Sequence, residues 1–367
     1  MSYNAKQEWE LYRDRELAVA LPILSRFHIE LDKHQPHVGG ERYLMQAVTT
    51  TSGPKLTLVG KRTTDGMKVV IKVTSNPAGA REIEHERECR KALAHLSFAY
   101  QRFFAPKELF VVKENSVVVA VQEYIVQTKT FLERPIEEQF SLSLEGLKIQ
   151  EGAHATTYGH LQRVAKVFPL WHKAEYLDAA TMLLRTIEDT IPGTKAVAWS
   201  RRALSALQEE GHYIEQYAGF LTHSDFVPHN IRVKDGALYL LDQSSIRFGN
   251  KYEGWARFVN FMTLYNPPLA NALITYVKDN RTPEESATLR LMRLYRLIEI
   301  VAYYTGTLSR SEGNLHALNT ARIDFWTELM RAVLEKQPLP DFVREEYITL
   351  RDQLRSPDEN IRQIGLH

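Results

Sequence analysis

The stretch from Leu221 to Asp242 constrains this chain more than any other part. It reads Leu221-Thr-His-Ser-Asp-Phe-Val-Pro-His-Asn230, then Ile231-Arg-Val233 and Ala237-Leu-Tyr-Leu-Leu241 flanking Lys234-Asp-Gly236, then Asp242. Two short apolar runs joined through Asp-Gly predict a β-hairpin, because that dipeptide accepts the positive φ that tight hairpin turns require. Asn230 opens the first strand and Asp242 follows the second, so the hairpin carries a carboxylate back toward a carboxamide. A chain that folds this way must bring Asp225, Asn230 and Asp242 together.

The hairpin reads as an island among helices. Tyr158 to Trp171, Asp178 to Glu188, Trp199 to Tyr217, Gly254 to Tyr265 and Ser286 to Thr305 all have helical patterns. Upstream, Glu8 to Ile29 places Leu11, Leu17, Ala18, Leu21, Leu24 and Phe27 at helical spacing and stops near His34-Gln-Pro-His-Val-Gly-Gly40. From Tyr43 the texture changes to strands: Tyr43 to Val48, Lys55 to Val59 and Met67 to Val73, the last two joined through Asp65-Gly66. A helix over Ala80 to Leu96 follows, then strands over Glu108 to Lys113 and Ser116 to Tyr124 around Glu114-Asn115. The expected fold class is α+β with two lobes. A helical extension over 1–40 precedes an N-lobe over 41–126, a meander of about five antiparallel strands with one helix after the third, and a mainly helical C-lobe covers 127–367.

Composition narrows the partners. The chain has 367 residues, 44% of them hydrophobic and 25% charged, which suits two domains with sizeable cores. Forty-six basic residues face 45 acidic ones, a net charge of +1 that gives no sign of a polyanion-binding surface, so no nucleic-acid partner is expected. Cys89 is the single cysteine, which excludes an intramolecular disulfide and a cysteine zinc cluster. Met1 to Arg13 is polar, without the apolar core of a signal peptide, and no stretch runs 18 apolar residues without a charge. These features predict a cytoplasmic protein with no membrane segment.

The polar residues suit one chemistry. Transfer of a γ-phosphoryl group needs a carboxylate to orient the attacking hydroxyl, oxygen ligands for magnesium, and a cation on the phosphates. Asp225 supplies the first, Asn230 and Asp242 the second. Lys72 lies in Val69-Val-Ile-Lys-Val73, where a lysine among buried aliphatics costs free energy unless its ammonium finds partners. The next helix offers Glu82, Glu84, Glu86 and Glu88. Other candidates fail: Gly53 to Lys61 is no Walker loop, since six residues separate its glycines and Arg62 stands where Ser or Thr would bind magnesium. His34 and His37 read as an exposed turn, His229 as solvent-facing, and the aromatics around Trp255-Ala-Arg-Phe258 and Tyr303-Tyr304 as core.

His223-Ser-Asp225 through Asn230, followed by Asp242, resembles the aminoglycoside phosphotransferase and choline kinase family, small-molecule relatives of the protein kinases. The resemblance spans residues 41 to 330 in order of elements and implies a protein-kinase-like fold. It implies Asp225 as catalytic carboxylate, His223 as motif support, Asn230 and Asp242 as magnesium ligands, and Lys72 on the nucleotide phosphates. Glu86, seven residues before Leu93, becomes the lysine's partner. Val121-Gln-Glu-Tyr-Ile125 resembles the adenine hinge, which sets Gln122 and Tyr124 beside the base, and Val48-Thr-Thr-Thr-Ser-Gly53 becomes the nucleotide loop, with Ser52 and Gly53 at the phosphates. Two departures argue against a protein kinase: Gln243-Ser-Ser245 follows the metal Asp in place of Phe-Gly, and there is no Ala-Pro-Glu segment. The implied activity is ATP- and magnesium-dependent phosphorylation of a small hydroxylated molecule such as a sugar, an amino alcohol or an aminoglycoside, with GTP as an alternative donor. The rival readings are a catalytically silent nucleotide-binding scaffold, a kinase-fold enzyme acting on a protein hydroxyl, and transfer of a nucleotidyl group.

Overall fold

The computed structural model describes residues 5–35, 53–95, 103–157, 162 and 165–362. Helix α1 (Ala5–Arg26) ends where His28 takes a left-handed φ of 57°, turning the chain into strand β1 (Ile29–Leu31). Strands β2 (Leu56–Arg62) and β3 (Lys68–Thr74), helix α2 (Pro77–Ala94), and strands β4 (Glu108–Glu114) and β5 (Val117–Glu123) complete the N-lobe.

The antiparallel sheet runs β1-β2-β3-β5-β4, which corrects the expected meander: α2 carries the chain past β3 to the far edge, and β5 returns between them. The described edge strand beside β2 is β1, within what read as the end of the first helix. The strand expected over Tyr43 to Val48 lies outside the described residues.

Strand alternation fixes what each face does. Val69, Ile71 and Val73 are buried beside Trp9, Ala20, Ile23 and Leu24 of α1, while Val70 and Lys72 face the other way. Helix α1 is therefore part of this lobe's core. Its Tyr12 hydroxyl donates to the Pro54 carbonyl at 2.7 Å, as does the Thr74 hydroxyl at 2.7 Å.

The C-lobe begins with α3 (Ile136–Thr157), α4 (Lys173–Thr190), α5 (Lys195–Glu209) and α6 (Gly211–Gln216). Strands β6 (Phe220–His223), β7 (Ile231–Lys234), β8 (Ala237–Leu240) and β9 (Ile246–Gly249) follow, then α7 (Glu253–Tyr265), α8 (Pro267–Asn280), α9 (Pro283–Leu308), α10 (Gly313–Leu334), α11 (Asp341–Leu354) and α12 (Pro357–Arg362). Helix α9 is buried nearly all round, the pattern of a central helix, and packs Leu294 and Ile298 into one core with Trp255, Phe258 and Trp326.

Four expectations change here. Helix α3 was not among the helices expected, and of the helix expected over Tyr158 to Trp171, residues 158–161, 163 and 164 lie outside the described residues, Gln162 is helical, and 165–171 instead form turns that reach Pro169 and a bridge between Leu170 and Phe248. The helix expected over Trp199 to Tyr217 breaks at Glu210, between α5 and α6. The hairpin β7–β8 forms as expected, with Asp235 and Gly236 at φ of 52° and 74°, but it is not alone: β6 pairs with β9 in a second ribbon.

The loop between α2 and β4 and the crossing after β5 both attach to that hairpin. Phe104, between α2 and β4, donates its N–H to Leu238 at 2.9 Å and accepts from Leu240 at 2.8 Å, and Gln127, after β5, accepts at Oε1 from the Val233 N–H at 3.3 Å. Among the described residues, no helix is long and apolar enough to cross a membrane.

Candidate active site

Strand β6 delivers His223, which is buried and donates from Nε2 to the carbonyls of Leu241 at 3.1 Å and Asp242 at 2.9 Å. The histidine thus ties the loop after β6 to the chain after β8. Two residues on, Asp225 is held from two sides. Asn230, placed by the short turn that starts at Pro228, donates from Nδ2 to the Asp225 carboxylate at 2.8 Å and to its carbonyl at 2.9 Å. Arg257 of α7 reaches the other carboxylate oxygen through Nε at 3.3 Å. Burial alone would raise the Asp225 carboxyl, but Arg257, His229 and His223 outweigh it and hold it well below the usual carboxylate range.

Asp242 has a left-handed backbone, φ 55° and ψ 62°, a conformation that costs a non-glycine residue roughly 1–2 kcal/mol. The surroundings fix it. Its carbonyl accepts from His223, and its carboxylate accepts from Ser244 at 2.6 Å and Ser245 at 3.3 Å, so Gln243-Ser-Ser245 has a role of its own. Burial again works against the charge, and Lys72, Lys55 and the Ser244 hydroxyl prevail, leaving the Asp242 carboxyl depressed.

The Lys72 ammonium pairs with Glu86, and Arg90 supports that glutamate at 3.5 Å. Burial pulls the lysine's pKa down; the charges of Glu86 and Asp242 reverse this and raise it, so Lys72 is a firm cation. The neighbouring glutamates have other duties: Glu82 pairs with Lys55, and Glu84 with Arg87 at 2.9 Å.

A cavity of about 310 Å³ lies between the lobes. Lys72, Gln122, Tyr124, Asn230 and Asp242 line it, and Asp225 stands one hydrogen bond behind Asn230. Glu86 lies behind Lys72, outside that wall. At the strand end of the cavity the backbone decides what can be bound. The Glu123 and Tyr124 N–H groups are spent on the carbonyls of Lys107 at 2.9 Å and Lys68 at 3.1 Å, while the Ile125 N–H has no partner among the described residues. The Tyr124 ring is 38% exposed, with the Lys68 ammonium 5.9 Å from its centre.

Gly53 is placed elsewhere than expected. A Cβ there would lie 2.1 Å from Asn76 Oδ1 and 2.3 Å from the Gly79 nitrogen, so this glycine lets the chain pack onto the start of α2 instead of lining the cavity. Ser52 and the rest of the expected nucleotide loop lie outside the described residues, as does His37. His229 is not solvent-facing: it is half-buried, lines the cavity and packs beside Phe261.

Sequence reasoning missed three cations. Lys55 and Arg232 line the cavity, and Arg257 reaches Asp225 from a helix read as aromatic core. For Arg232 a signal existed in the alternation of β7, which buries Ile231 and Val233 and turns the arginine out of the core. The oxygen donors also suit a hard divalent cation. Asn230 uses its NH₂ group on Asp225, leaving Oδ1 unpartnered among the described residues beside the Asp242 carboxylate in the same cavity wall. No group of three or more His, Cys, Asp or Glu that could hold a metal ion occurs among the described residues.

A five-stranded lobe with a strand lysine on a helix glutamate, closed over a helical lobe that supplies the loop of Asp225 and Asn230, defines the two-lobed protein-kinase-like fold. Its counterparts among solved structures are small-molecule phosphotransferases. A thermostable mutant of aminoglycoside phosphotransferase APH(4)-Ia, in ternary complex with ADP and hygromycin B, superposes with a TM-score of 0.58 at 14% identity, covering 87% of this chain and 98% of that one. The amicoumacin kinase hAmiN, in complex with AMP-PNP, Ca2+ and Ami, gives a TM-score of 0.56 at 11% identity, covering 93% and 99%. ADP-bound APH(2'')-Ib gives 0.50 at 14% identity, covering 81% and 93%. At such identities the likeness is one of fold. No protein-family model matches the chain, and no curated protein sequence matches it.

Proposed function

We propose that this protein is a phosphotransferase that moves the γ-phosphoryl group of ATP to a hydroxyl of a small molecule. One observation carries the reading: Asn230, with Asp225 hydrogen-bonded behind it, and Asp242 share one cavity with Lys72, whose ammonium is paired to Glu86 behind it. Each residue then has a task. Lys72 binds the nucleotide phosphates and Glu86 keeps its ammonium in place. The base lies beside Gln122 and Tyr124, against the open N–H of Ile125, and Lys55 adds a second cation near the phosphates. Asn230 and Asp242 would hold magnesium, which when bound neutralises phosphate charge.

Asp225 orients the acceptor hydroxyl. In the transfer, the hydroxyl oxygen forms a bond to the γ-phosphorus and the bond from that phosphorus to the β–γ bridging oxygen breaks. ADP leaves with the electron pair, and the hydroxyl proton passes to the Asp225 carboxylate and on to water. A carboxyl held as low as this one is a weak base, which suits a loose transition state where position matters more than proton abstraction.

The test is ATP turnover with magnesium against panels of sugars, amino alcohols, hydroxy acids and aminoglycosides, with Asp225→Ala as the blank. Acceptor-dependent ADP release that vanishes in the variant supports the reading. Nucleotide binding that ignores both magnesium and Asp242→Ala, with no turnover on any panel, would instead point to a silent scaffold.

A further inference from the structure

Beside burial, the largest influences on the Asp225 carboxylate come from Arg257, His229, His223 and Arg296, each of which favours its charge. Two of these are committed elsewhere. His223 donates to two carbonyls, and Arg296 is paired with Glu299 at 2.6 Å and Glu253 at 3.4 Å. Arg257 is not. Its side chain is 15% exposed, and Asp225 is its only ion-pair partner among the described residues, reached through Nε alone. The terminal Nη1 and Nη2 groups have no hydrogen-bond partner among the described residues, so most of the guanidinium's five donors are unspent.

Position makes this consequential. The terminal nitrogens of a guanidinium lie within a few ångström of its Nε, and the Nε of Arg257 already touches Asp225. An acceptor whose hydroxyl is hydrogen-bonded to Asp225 can therefore carry a substituent a few bonds away to those free N–H groups. A planar pair of N–H donors matches a carboxylate or phosphate bidentately. A protonated amine in the same place would meet a like charge in a partly buried setting.

We infer that the acceptor is an anionic alcohol, a hydroxyl compound with a carboxylate or phosphate ester a few bonds from the hydroxyl, gripped by Arg257. This rests on the phosphotransferase reading and names its substrate class. A polycationic acceptor such as an aminoglycoside does not fit the same site.

A small series probes the charge: glycerate, glycerol 3-phosphate and serinol each differ from glycerol at one substituent, the first two gaining a negative charge and the last a positive one. Calorimetric titration of each into the full-length protein with AMP-PNP and magnesium should show glycerate, glycerol 3-phosphate or both binding at least about tenfold tighter than glycerol, and serinol weakest. Arg257→Gln should shrink the preference to within about threefold, and Arg257→Lys should restore part of it. Glycerol or serinol binding as well as both anions overturns the proposal, and so does an anion preference that survives Arg257→Gln. If that variant fails to fold, the wild-type ranking still decides. The rise in melting temperature with AMP-PNP and magnesium alone reports separately on the parent reading. Its absence sinks both, whereas an intact rise without anion preference overturns the acceptor class only.

Discussion

Lys72 shows how a buried charge becomes useful. An ammonium in a sheet interior is costly unless it is paired, and here Glu86 and Asp242 reverse the effect of burial. Lys72→Ala should therefore do two things: cut transfer by at least about a hundredfold and, by leaving Glu86 buried without its lysine, lower stability by about 3 kcal/mol. Turnover assays and urea melts would separate these. Gly254 offers a subtler test, since a Cβ there would lie 2.7 Å from the His223 carbonyl and 3.2 Å from Phe226 Cβ. Gly254→Ala should destabilise by about 1–3 kcal/mol and lower kcat more than it changes the nucleotide KM, because it pushes on the loop of Asp225. Legibility at this scale followed sequence distance. His223, Asp225, Asn230 and Asp242 could be read because a local hairpin joins them, whereas Arg257 meets Asp225 only through the packing of α7, which no spacing records.

Among the elements, α2 carries the glutamates that set both cavity lysines. Its start is capped by Asn76, whose Oδ1 accepts from the N–H groups of Ala78 at 2.9 Å and Gly79 at 3.3 Å. Asn76→Ala should lower stability by about 1 kcal/mol and raise the nucleotide KM severalfold, since the turn that begins at the cap leads to Glu82 and Glu86; chemical denaturation and initial-rate kinetics check the two effects. Elements with strong local signals were legible, including β2, β3, β5 and the β7–β8 turn. Strand β1 was not, because three residues after a helix hold no periodicity, and its place is set by pairing with Gly60 to Arg62. The β6–β9 ribbon hid for a related reason: its strands are four residues each and are separated by the whole hairpin.

For the molecule as a whole, the depressed carboxyls set its response to acid. At Asp225, Asp242, Glu253 and Glu285 burial opposes the charge, and neighbouring cations and hydrogen bonds prevail. A carboxyl whose folded pKa lies below its unfolded value, about 4, stabilises the fold above that pH and loses the contribution as pH falls through the folded value. Unfolding followed by circular dichroism should therefore show a plateau at neutral pH and a steep loss below about pH 4. Glu253→Gln should shorten that plateau, because Arg247, Arg296 and the Tyr176 hydroxyl all converge on this fully buried carboxylate. The two-lobe plan was legible because strand and helix textures separate cleanly along the chain; the place of α1 was not, since nothing in an amphipathic helix says which sheet it will cover.

The N-lobe loop before β4 and the crossing after β5 fasten to one hairpin, Phe104 along β8 and Gln127 at β7. A body attached along two strips on the same support can swing about one line and resists twisting about any other. Opening of the cleft would then resemble a book lying on its spine. Asn230 and Asp242 sit at the spine and keep their relation to each other, while Lys72 rides on the moving page. The products would leave from an intact pair of oxygen donors, and the next nucleotide would find them already set.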